Sequence, residues 1–369
     1  MKLKKLFGIV GIILLALILI VGGYFAYVLL SWNRIPDNLA LDVSQAVNGT
    51  MSEADAEGPK TDTPYRIVSW NIGFGAYEDD YGFFMDGGTQ SWAWSRERLD
   101  VNLRAIAKEM FSHDADIVLA QEVDIDGTRS YHVDERVYLS SEAYPGRVSW
   151  QSFAQNYDSP FLFYPITQPH GANKAGLMTF SRFPISSALR RSLPIEDTLM
   201  KLVDLDRCYS VNRIPVQDGG ELVVYHLHLS AYTSDGTIAT EQLRMLLEDM
   251  QREYEKGNWC IAGGDFNKDL LGDSVAIFGT DEEFSWAKAI PPETFDGVDI
   301  VLVGPLDEEN PIPSCRNADG PYHEGQYVLT VDGFMVSPNV RVDASRVIDT
   351  AFRYSDHNPV EMDFTLVNN

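Results

Sequence analysis

Hydrophobic positions divide the chain into three zones. Residues 6–32 are apolar throughout and include no charged side chain, whereas residues 33–63 are rich in acidic and small residues and show little periodicity. From residue 64 onward, short apolar runs alternate with helical patterns, and no long proline- or glycine-rich break divides them. We therefore predict an apolar N-terminal unit (1–32), an acidic linker (33–63) and one folded domain (64–369).

The pattern of the third zone predicts both strands and helices. Residues 95–111 and 240–254 repeat apolar side chains every three or four positions, which is typical of helices, and Ser95 is a suitable N-cap. Strand-rich segments with a few interspersed helices indicate an α/β (α+β) domain of two packed sheets flanked by helices. The runs predicted to be buried strands are 66–70, 116–120, 222–229, 258–262 and 327–336.

The N-terminal apolar run is long enough to cross a bilayer, which takes about 20 residues. A cleaved signal has an apolar region of only about 7–15 residues and a small-residue cleavage site, and no A-x-A pattern closes this run. We therefore predict an uncleaved single-pass anchor over residues 6–32, with a long signal peptide as the alternative. Aromatic residues typical of an interfacial belt are Tyr24, Tyr27 and Trp32.

Lysines at positions 2, 4 and 5 precede the apolar run. Positive charge on this side favours a cytoplasmic N-terminus. The expected location is the plasma membrane, with everything after Trp32 outside the cytoplasm.

Charge and cysteine content narrow the classes of function. The 54 acidic and 29 basic residues give a formal net charge of −25, which argues against sequence-independent, high-affinity binding of nucleic acid. A nuclease is not excluded, because bound divalent cations reverse the local field in a cleft. The three cysteines, Cys208, Cys260 and Cys315, are scattered along the chain, and we interpret them as ordinary small apolar residues, with one disulfide as the alternative.

Polar residues capable of metal binding or proton transfer follow several apolar runs, where a rigid scaffold presents side chains to a cleft. Asn71 follows the run RIVSW, and Glu122 ends DIVLAQE. A carboxylate at Glu122 is suited to Mg²⁺, which takes one or two protein carboxylates together with water and phosphate oxygens. The alternatives are an asparagine that opens a turn and a solvated strand end.

A second pair of motifs carries histidine, aspartate and asparagine. His226 and His228 lie on one face of the strand LVVYHLHL. His228 is nearer the strand end, and we prefer it as the hydrogen-bond donor to a phosphoryl oxygen. His226 is compatible with a buried structural role. In GGDFN, Asp265 and Asn267 alternate onto one side of an extended segment. They are candidates for orienting water and a phosphate oxygen.

The last motifs are VDGFMV and YSDHNPV. A buried aspartate that accepts a hydrogen bond from an imidazole fixes its tautomer and raises its basicity, which makes Asp332 and His357 a candidate base pair. Asp356 is then available to face metal or phosphate.

Taken in order from about Arg66 to Leu366, these motifs resemble the endonuclease/exonuclease/phosphatase family. The resemblance implies a four-layer sandwich with its site at one edge of the two sheets. It also implies that Glu122, assisted by Asp356, binds Mg²⁺, with Mn²⁺ or Ca²⁺ as alternatives, and that His357 is the base. The other catalytic positions it implies are Asn71, His228, Asp265, Asn267 and Asp332.

The expected activity is hydrolysis of a phosphate ester by in-line attack of water, as in a nuclease-like phosphodiesterase. The catalytic domain is expected to be a monomer. The segment NKAGLMTFSRFPI also resembles the family, which makes Asn173 and Lys174 candidates for approaching phosphate. The motif GDFNKD departs from the GDxNYR of inositol-phosphate relatives, which argues against that substrate.

Three alternatives to a nuclease stay open: a lipid head-group phosphodiesterase, a phosphomonoesterase and an inactive surface binding module. A lipid enzyme should expose an apolar loop near its site, for which Trp92 and Trp94 are the candidates.

Overall fold

The computed structural model describes residues 2–45, 56–142, 150–196, 201, 205–231, 237–280 and 287–368. Helix α1 (Lys2–Ser31) carries the apolar run. Its segment Lys4–Ser31 is long and apolar enough to cross a membrane, by length and composition. Most of its side chains are exposed, but Val28, near its end, is only 6% exposed because the last turns contact the folded domain.

Two mixed seven-stranded sheets form the centre of the domain. The first sheet has the order β1 (Leu39–Leu41), β7 (Ser187–Ser192), β8 (Cys208–Pro215), β9 (Glu221–His228), β10 (Trp259–Asp265), β14 (Asp332–Val336) and β11 (Val301–Val303). The second has the order β15 (Val340–Val347), β16 (Val360–Leu366), β3 (Pro64–Asn71), β4 (Ile117–Gly127), β6 (Asn173–Ser181), β5 (Trp150–Asp158) and β2 (Val43–Gln45). A small ribbon pairs β12 (Cys315–Arg316) with β13 (Val328–Leu329).

Four helices accompany the sheets in the described part of the folded domain. They are α2 (Arg96–Met110), α3 (Glu135–Glu142), α4 (Thr237–Glu255) and α5 (Ser274–Phe278). As predicted, the Ser95 side chain caps α2 by accepting a hydrogen bond from the Arg98 amide. The apolar side chains of α2 pack against the outer face of the second sheet, and those of α4 pack against the outer face of the first sheet.

Alternation along the strands separates the layers. Ile67 of β3 packs between the sheets, whereas its neighbour Val68 packs under α2. In the same way, Ile261 of β10 faces the other sheet and Cys260 packs under α4. Since successive side chains of a strand point to opposite faces, helix, sheet, sheet and helix form four layers, as predicted.

Parallel pairing brings the candidate polar residues to one end of each sheet. β3 runs parallel to β4, so that Asn71 lies opposite Gln121, one residue before Glu122. β9 runs parallel to β10, so that His228 lies opposite Asp265. The carboxyl ends of β3, β9 and β10 and the middle of β4 therefore share one edge of the sandwich.

The linker prediction is wrong for part of residues 33–63. Strand β1 pairs with β7, and β2 pairs with β5, so this segment completes one edge of each sheet. Leu39, Leu41 and Val43 supply alternating apolar side chains, and the open edges of β7 and β5 supply hydrogen-bond partners. The middle of the predicted linker, residues 46–55, lies outside the described residues.

Two further expectations are corrected. The single strand predicted at 327–336 is two strands, β13 and β14, because the Ser314 hydroxyl accepts hydrogen bonds from the amides of Val331 and Asp332 at the break. The alternative of a disulfide is also wrong, since all three cysteines are free and buried.

Candidate active site

A cavity of about 590 Å³ opens at the shared edge of the two sheets, a size typical of ligand sites. Seven of the eight predicted site residues line it, and the eighth, Asp332, is fully buried behind His357. The seven are Asn71, Glu122, His228, Asp265, Asn267, Asp356 and His357. The structure thus brings the whole predicted set together, although it does not test the role of each residue.

Asn71 connects the two sheets at the floor of the cavity. Its amide nitrogen donates to Asp265 Oδ2 (3.1 Å) and lies 3.3 Å from Glu122 Oε1. Its amide oxygen accepts a hydrogen bond from the amide of Gly73 (3.0 Å). The side chain therefore holds carboxylates from different sheets in one place, which is more than a turn-opening asparagine does.

Glu122 reaches the cavity through an irregular backbone. It has φ +57°, in the left-handed region, where the pairing of β4 with β6 shifts between Ala120 and Val123. Such a conformation costs a non-glycine residue roughly 1–3 kcal/mol and often occurs at functional sites. The shift interrupts the strand alternation and directs Glu122 away from the core.

Asp356 lies near Glu122. Burial raises the pKa of Asp356, and the negative charge of Glu122 adds to the rise. The Ser355 hydroxyl also lies 3.2 Å from Asp356 Oδ1. Two half-buried carboxylates that repel one another, both lining one cavity, fit a hard divalent cation that takes oxygen ligands.

His357 and Asp332 form the pair that the sequence predicts. His357 Nδ1 lies 2.8 Å from Asp332 Oδ2, which also accepts a hydrogen bond from the Ser314 hydroxyl (2.8 Å). The indole of Trp70 donates to the His357 carbonyl (2.8 Å). Burial lowers the pKa of His357, but the charges of Asp332 and Asp356, together with the hydrogen bond to Asp332, outweigh it and hold this pKa well above its usual value.

Asp265 stands between the two histidines of the cavity. Its Oδ2 lies 3.6 Å from His228 Nε2 and 3.9 Å from His357 Nε2. Burial raises the pKa of Asp265, and the charge of Asp332 adds to the rise. Asp265, Asp332 and His357 also have the geometry of a metal-binding group. Asp332 Oδ2 already accepts two hydrogen bonds, so we assign Asp332 and His357 to a hydrogen-bonded pair, with Asp265 beside it.

The turn after β10 depends on residues with special backbone conformations. Gly264 has φ +147°, and a Cβ there would lie 2.0 Å from the Leu227 carbonyl oxygen, so a side chain has no room. Asn267 has φ +50°, its amide donates to Asp265 Oδ1 (2.8 Å), and its side chain donates to the Leu229 carbonyl (2.8 Å). The turn therefore places Asp265 and Asn267 against the end of β9.

The two histidines of β9 have different environments. His226 is fully buried, lies within hydrogen-bond distance of Gln121 and Thr179, and does not line the cavity. His228 lines it, and its Nδ1 has no hydrogen-bond partner among the described residues. Burial lowers the pKa of His228 far below its usual value, so the ring is neutral. The preference for His228 over His226 agrees with this placement.

Sequence reasoning missed the cationic side of the cavity, whose lining includes Arg129, Arg207 and Arg316. Arg129 pairs with Asp124 and lies over the Phe74 ring, 4.0 Å from its centroid. Arg129 follows β4, Arg207 precedes β8, and Arg316 lies in the two-residue strand β12, so none of them belongs to a periodic segment. The net charge of −25 also hides their local concentration, and no sequence pattern marked them.

Other candidates lie outside the lining. The Asn173 side chain accepts a hydrogen bond from the Arg129 amide (3.1 Å) and supports the cavity wall from behind. Lys174 is exposed. The indoles of Trp92 and Trp94 donate to the Pro169 carbonyl and to Asp80, and neither residue lines the cavity.

The sequence decides the family. Residues 68–357 match the model of the Endonuclease/Exonuclease/phosphatase family. The chain belongs to this family. Its members are phosphoric ester hydrolases that typically depend on divalent metal ions, so membership supports hydrolysis of phosphate esters as the general activity. The resemblance on which the site residues were predicted is thereby confirmed.

Solved structures share the fold of this family protein. An endonuclease/exonuclease/phosphatase from Beutenbergia cavernae is 20% identical, covers 82% of this chain and 72% of its own, and has a TM-score of 0.52. A family protein from Leptotrichia buccalis is 14% identical, with 82% and 100% covered and a TM-score of 0.52. ANGEL2, described as a 2′,3′-cyclic phosphatase, is 16% identical, with 89% and 99% covered and a TM-score of 0.52. No curated protein sequence matches the chain.

Proposed function

We propose that this protein is a divalent-metal-dependent phosphodiesterase, held at the plasma membrane by α1 with its catalytic domain outside the cytoplasm. The observation that carries the proposal is the placement of the His357–Asp332 pair and the Glu122–Asp356 carboxylates around one cavity. A base and a group of oxygen ligands in one cavity are what water attack on phosphorus needs.

Glu122 and Asp356 would hold the ion, with Mg²⁺ as the first candidate and Mn²⁺ or Ca²⁺ as alternatives. When bound, such an ion neutralises charge on the phosphate oxygens. The hydrogen bond from Asn71 to Glu122 would orient this ligand from behind.

His357 is proposed as the base. With Nδ1 bonded to Asp332, its Nε2, which lies 3.5 Å from Cys315 Sγ, would take a proton from the attacking water. Its raised pKa favours the protonated ring, but positive charge bound near Asp356 would oppose that rise and favour the neutral base.

The remaining residues would position the water and the phosphate. Asp265 and Asn267 lie where they can orient the water, since the Asp265 carboxylate is 3.9 Å from His357 Nε2. Neutral His228 would donate a hydrogen bond to a phosphoryl oxygen as negative charge develops there.

The proposal is tested with the full chain in detergent, because a domain cut at Pro64 would lose β1 and β2. Turnover of bis(4-nitrophenyl) phosphate, 4-nitrophenyl phosphate and plasmid DNA is measured with Mg²⁺ and with chelator, beside His357→Ala. We expect Mg²⁺-dependent cleavage of a diester that falls about 10²–10⁴-fold in the variant. Preference for the monoester would favour a phosphomonoesterase, and no turnover by the folded chain would favour a binding module.

A further inference from the structure

The end of α1 is bonded to the loop that joins β5 to β6. The Tyr24 hydroxyl donates to the Phe161 carbonyl (3.2 Å) and accepts from the Phe163 amide (3.3 Å). The Tyr27 hydroxyl accepts a hydrogen bond from the Phe161 amide (3.2 Å). The rings of Tyr24 and Phe163 also meet edge to face, with centroids 5.1 Å apart. The position of α1 in a membrane therefore sets the position of this loop.

The length of α1 places these contacts at a bilayer interface. A helix rises about 1.5 Å per residue, so about 20 residues cross a hydrocarbon core about 30 Å thick. Counted from Leu6, the first residue after the lysines, that length ends beside Tyr24 and Tyr27. A loop bonded to both tyrosines lies at the level of the lipid head groups on the side of the catalytic domain.

The same loop exposes large apolar side chains. Phe163 is 56% exposed, Tyr164 is 70% exposed and Ile166 is 86% exposed. We call Phe163, Tyr164 and Ile166 the interfacial loop. Exposed apolar groups close together in a folded domain mark interaction surfaces, and a bilayer is the apolar phase that the adjoining helix supplies.

One wall of the cavity extends to the interfacial loop. The ring of Tyr164 lies 5.7 Å from that of Phe84, which lies 5.7 Å from His170. His170 lines the cavity, as does Met85, which is 57% exposed. A second part of the cavity lining also contacts the end of α1.

On that side, the indole of Trp32 donates to the carbonyl of Lys201 (2.9 Å), and the Lys201 ammonium lies 5.1 Å from the Trp32 ring centroid. Lys201 and Ile195 both line the cavity. Two separate chains of contact therefore connect the cavity lining to the end of α1 that meets the interface.

We propose that the interfacial loop rests in the leaflet beside the catalytic domain and that the cavity receives the phosphodiester of a membrane lipid. This inference rests on the proposed function and names its substrate class. Water would add to phosphorus, one P–O ester bond would break, and the leaving oxygen would take up a proton, so that an alcohol and a phosphate monoester result. The acidic chain would dock through apolar side chains, so zwitterionic lipid suffices.

The docking is tested without reference to activity. Because the native cysteines are buried, a fluorophore attached to Ile166→Cys labels one position of the full chain in phosphatidylcholine nanodiscs. Val137→Cys on α3 is the matched control, since Val137 is 62% exposed and does not line the cavity. Lipids with a quencher near the head group should quench the label at 166 at least threefold more than the label at 137. Equal quenching would overturn the docking.

The substrate class is tested with the Phe163→Ser/Ile166→Ser variant beside Val101→Ser/Val137→Ser, which changes two equally exposed residues on α2 and α3. The nanodiscs contain phosphatidylcholine, phosphatidylethanolamine and phosphatidylglycerol, and release of phosphate-containing products is followed by mass spectrometry. We expect the ratio of lipid to bis(4-nitrophenyl) phosphate turnover to fall at least tenfold in the loop variant and less than twofold in the control.

The outcomes separate the two proposals. Cleavage of the soluble diester or of DNA without cleavage of any lipid would overturn the lipid substrate and leave the proposed function standing. Quenching at position 166 with no cleavage of any diester would overturn the proposed function, and the lipid substrate with it.

Discussion

Polar side chains have different partners at the two ends of the sandwich. At the cavity end, the negative charge of Glu122 contributes to the raised pKa of the half-buried Asp356, and the described structure gives His228 Nδ1 and Asp332 Oδ1 no hydrogen-bond partner. At the opposite end, carboxylates pair with arginines: Asp116 lies 2.9 Å from Arg182, and Glu253 lies 2.7 Å from Arg213. Both ends belong to the same two sheets, so the architecture alone does not explain why polar side chains are paired at one end and not at the other.

The difference between the two ends indicates that the cavity end serves catalysis and the opposite end serves the stability of the fold. A buried polar atom without a partner costs about 1–3 kcal/mol, and a left-handed backbone such as that of Glu122 costs a similar amount. The cavity end bears these costs, whereas the paired end stabilises the fold. Substitutions at the first end should therefore change turnover, and those at the second should change unfolding.

The metal dependence of turnover should change most at the proposed metal ligand. Glu122→Gln removes a charge from the ligand set, so the Mg²⁺ concentration for half-maximal activity should rise at least about tenfold. Calorimetric titration with Mn²⁺ checks affinity directly. Glu221→Gln, which loses an ion pair with Arg213 at the opposite end, should keep the wild-type metal dependence. An unchanged affinity in Glu122→Gln would place the ion elsewhere.

The histidines of β9 sharpen the contrast within one strand. His228→Ala should lower kcat about 100-fold through loss of a donor to the phosphoryl oxygen, with little change in unfolding. His226→Ala should leave Gln121 and Thr179 without their buried partner and lower the free energy of unfolding by about 1–3 kcal/mol. Both variants are measured by steady-state kinetics and urea unfolding. A loss of kcat in His226→Ala and a loss of stability in His228→Ala would assign the catalytic role to His226.

The smallest effect is a pH dependence at the paired end. Burial alone would raise the pKa of Glu253, but hydrogen bonds from Arg213, Lys256 and Asn258 lower it to about 2. A carboxylate with a lowered folded pKa stabilises the fold above its unfolded pKa, about 4.5, and loses this contribution as pH falls towards 2. Glu253→Gln should cost about 1 kcal/mol at pH 7 and less at pH 3. A pH-independent cost would show that packing, not charge, is lost.

The sequence predicted the layers and the position of the site because both follow from short-range patterns. Period-two alternation identified the central strands, and strand ends located Asn71, His228 and Asp265 at one edge. Glu122 reaches the same edge from within β4, at the shift in its pairing with β6, and not from a strand end as expected. The motifs also predicted the pair of His357 with Asp332, which the structure places 2.8 Å apart. The roles of these residues stay predictions until variants are assayed.

What the sequence missed depends on contacts between distant segments. Nothing local shows that residues 39–45 complete two sheet edges, because their partners lie more than 100 residues away. The cavity arginines come from segments without periodicity, and the two-residue strand β12 is too short for a pattern to mark Arg316. The sequence predicted the exposed apolar loop of a lipid enzyme at Trp92 and Trp94, whereas the exposed apolar side chain that contacts α1 is that of Phe163, in the loop that also exposes Ile166.

The most direct test makes the same chemical change at both ends. Asp332→Asn keeps the shape of the side chain but removes the charge that orients His357, and Asp116→Asn does the same to a partner of Arg182. Turnover of bis(4-nitrophenyl) phosphate and urea unfolding are measured for both variants. We predict that Asp332→Asn lowers kcat about 10²–10⁴-fold with unfolding nearly unchanged, and that Asp116→Asn lowers stability by about 1–3 kcal/mol with kcat retained. Wild-type turnover in a folded Asp332→Asn variant would contradict the account.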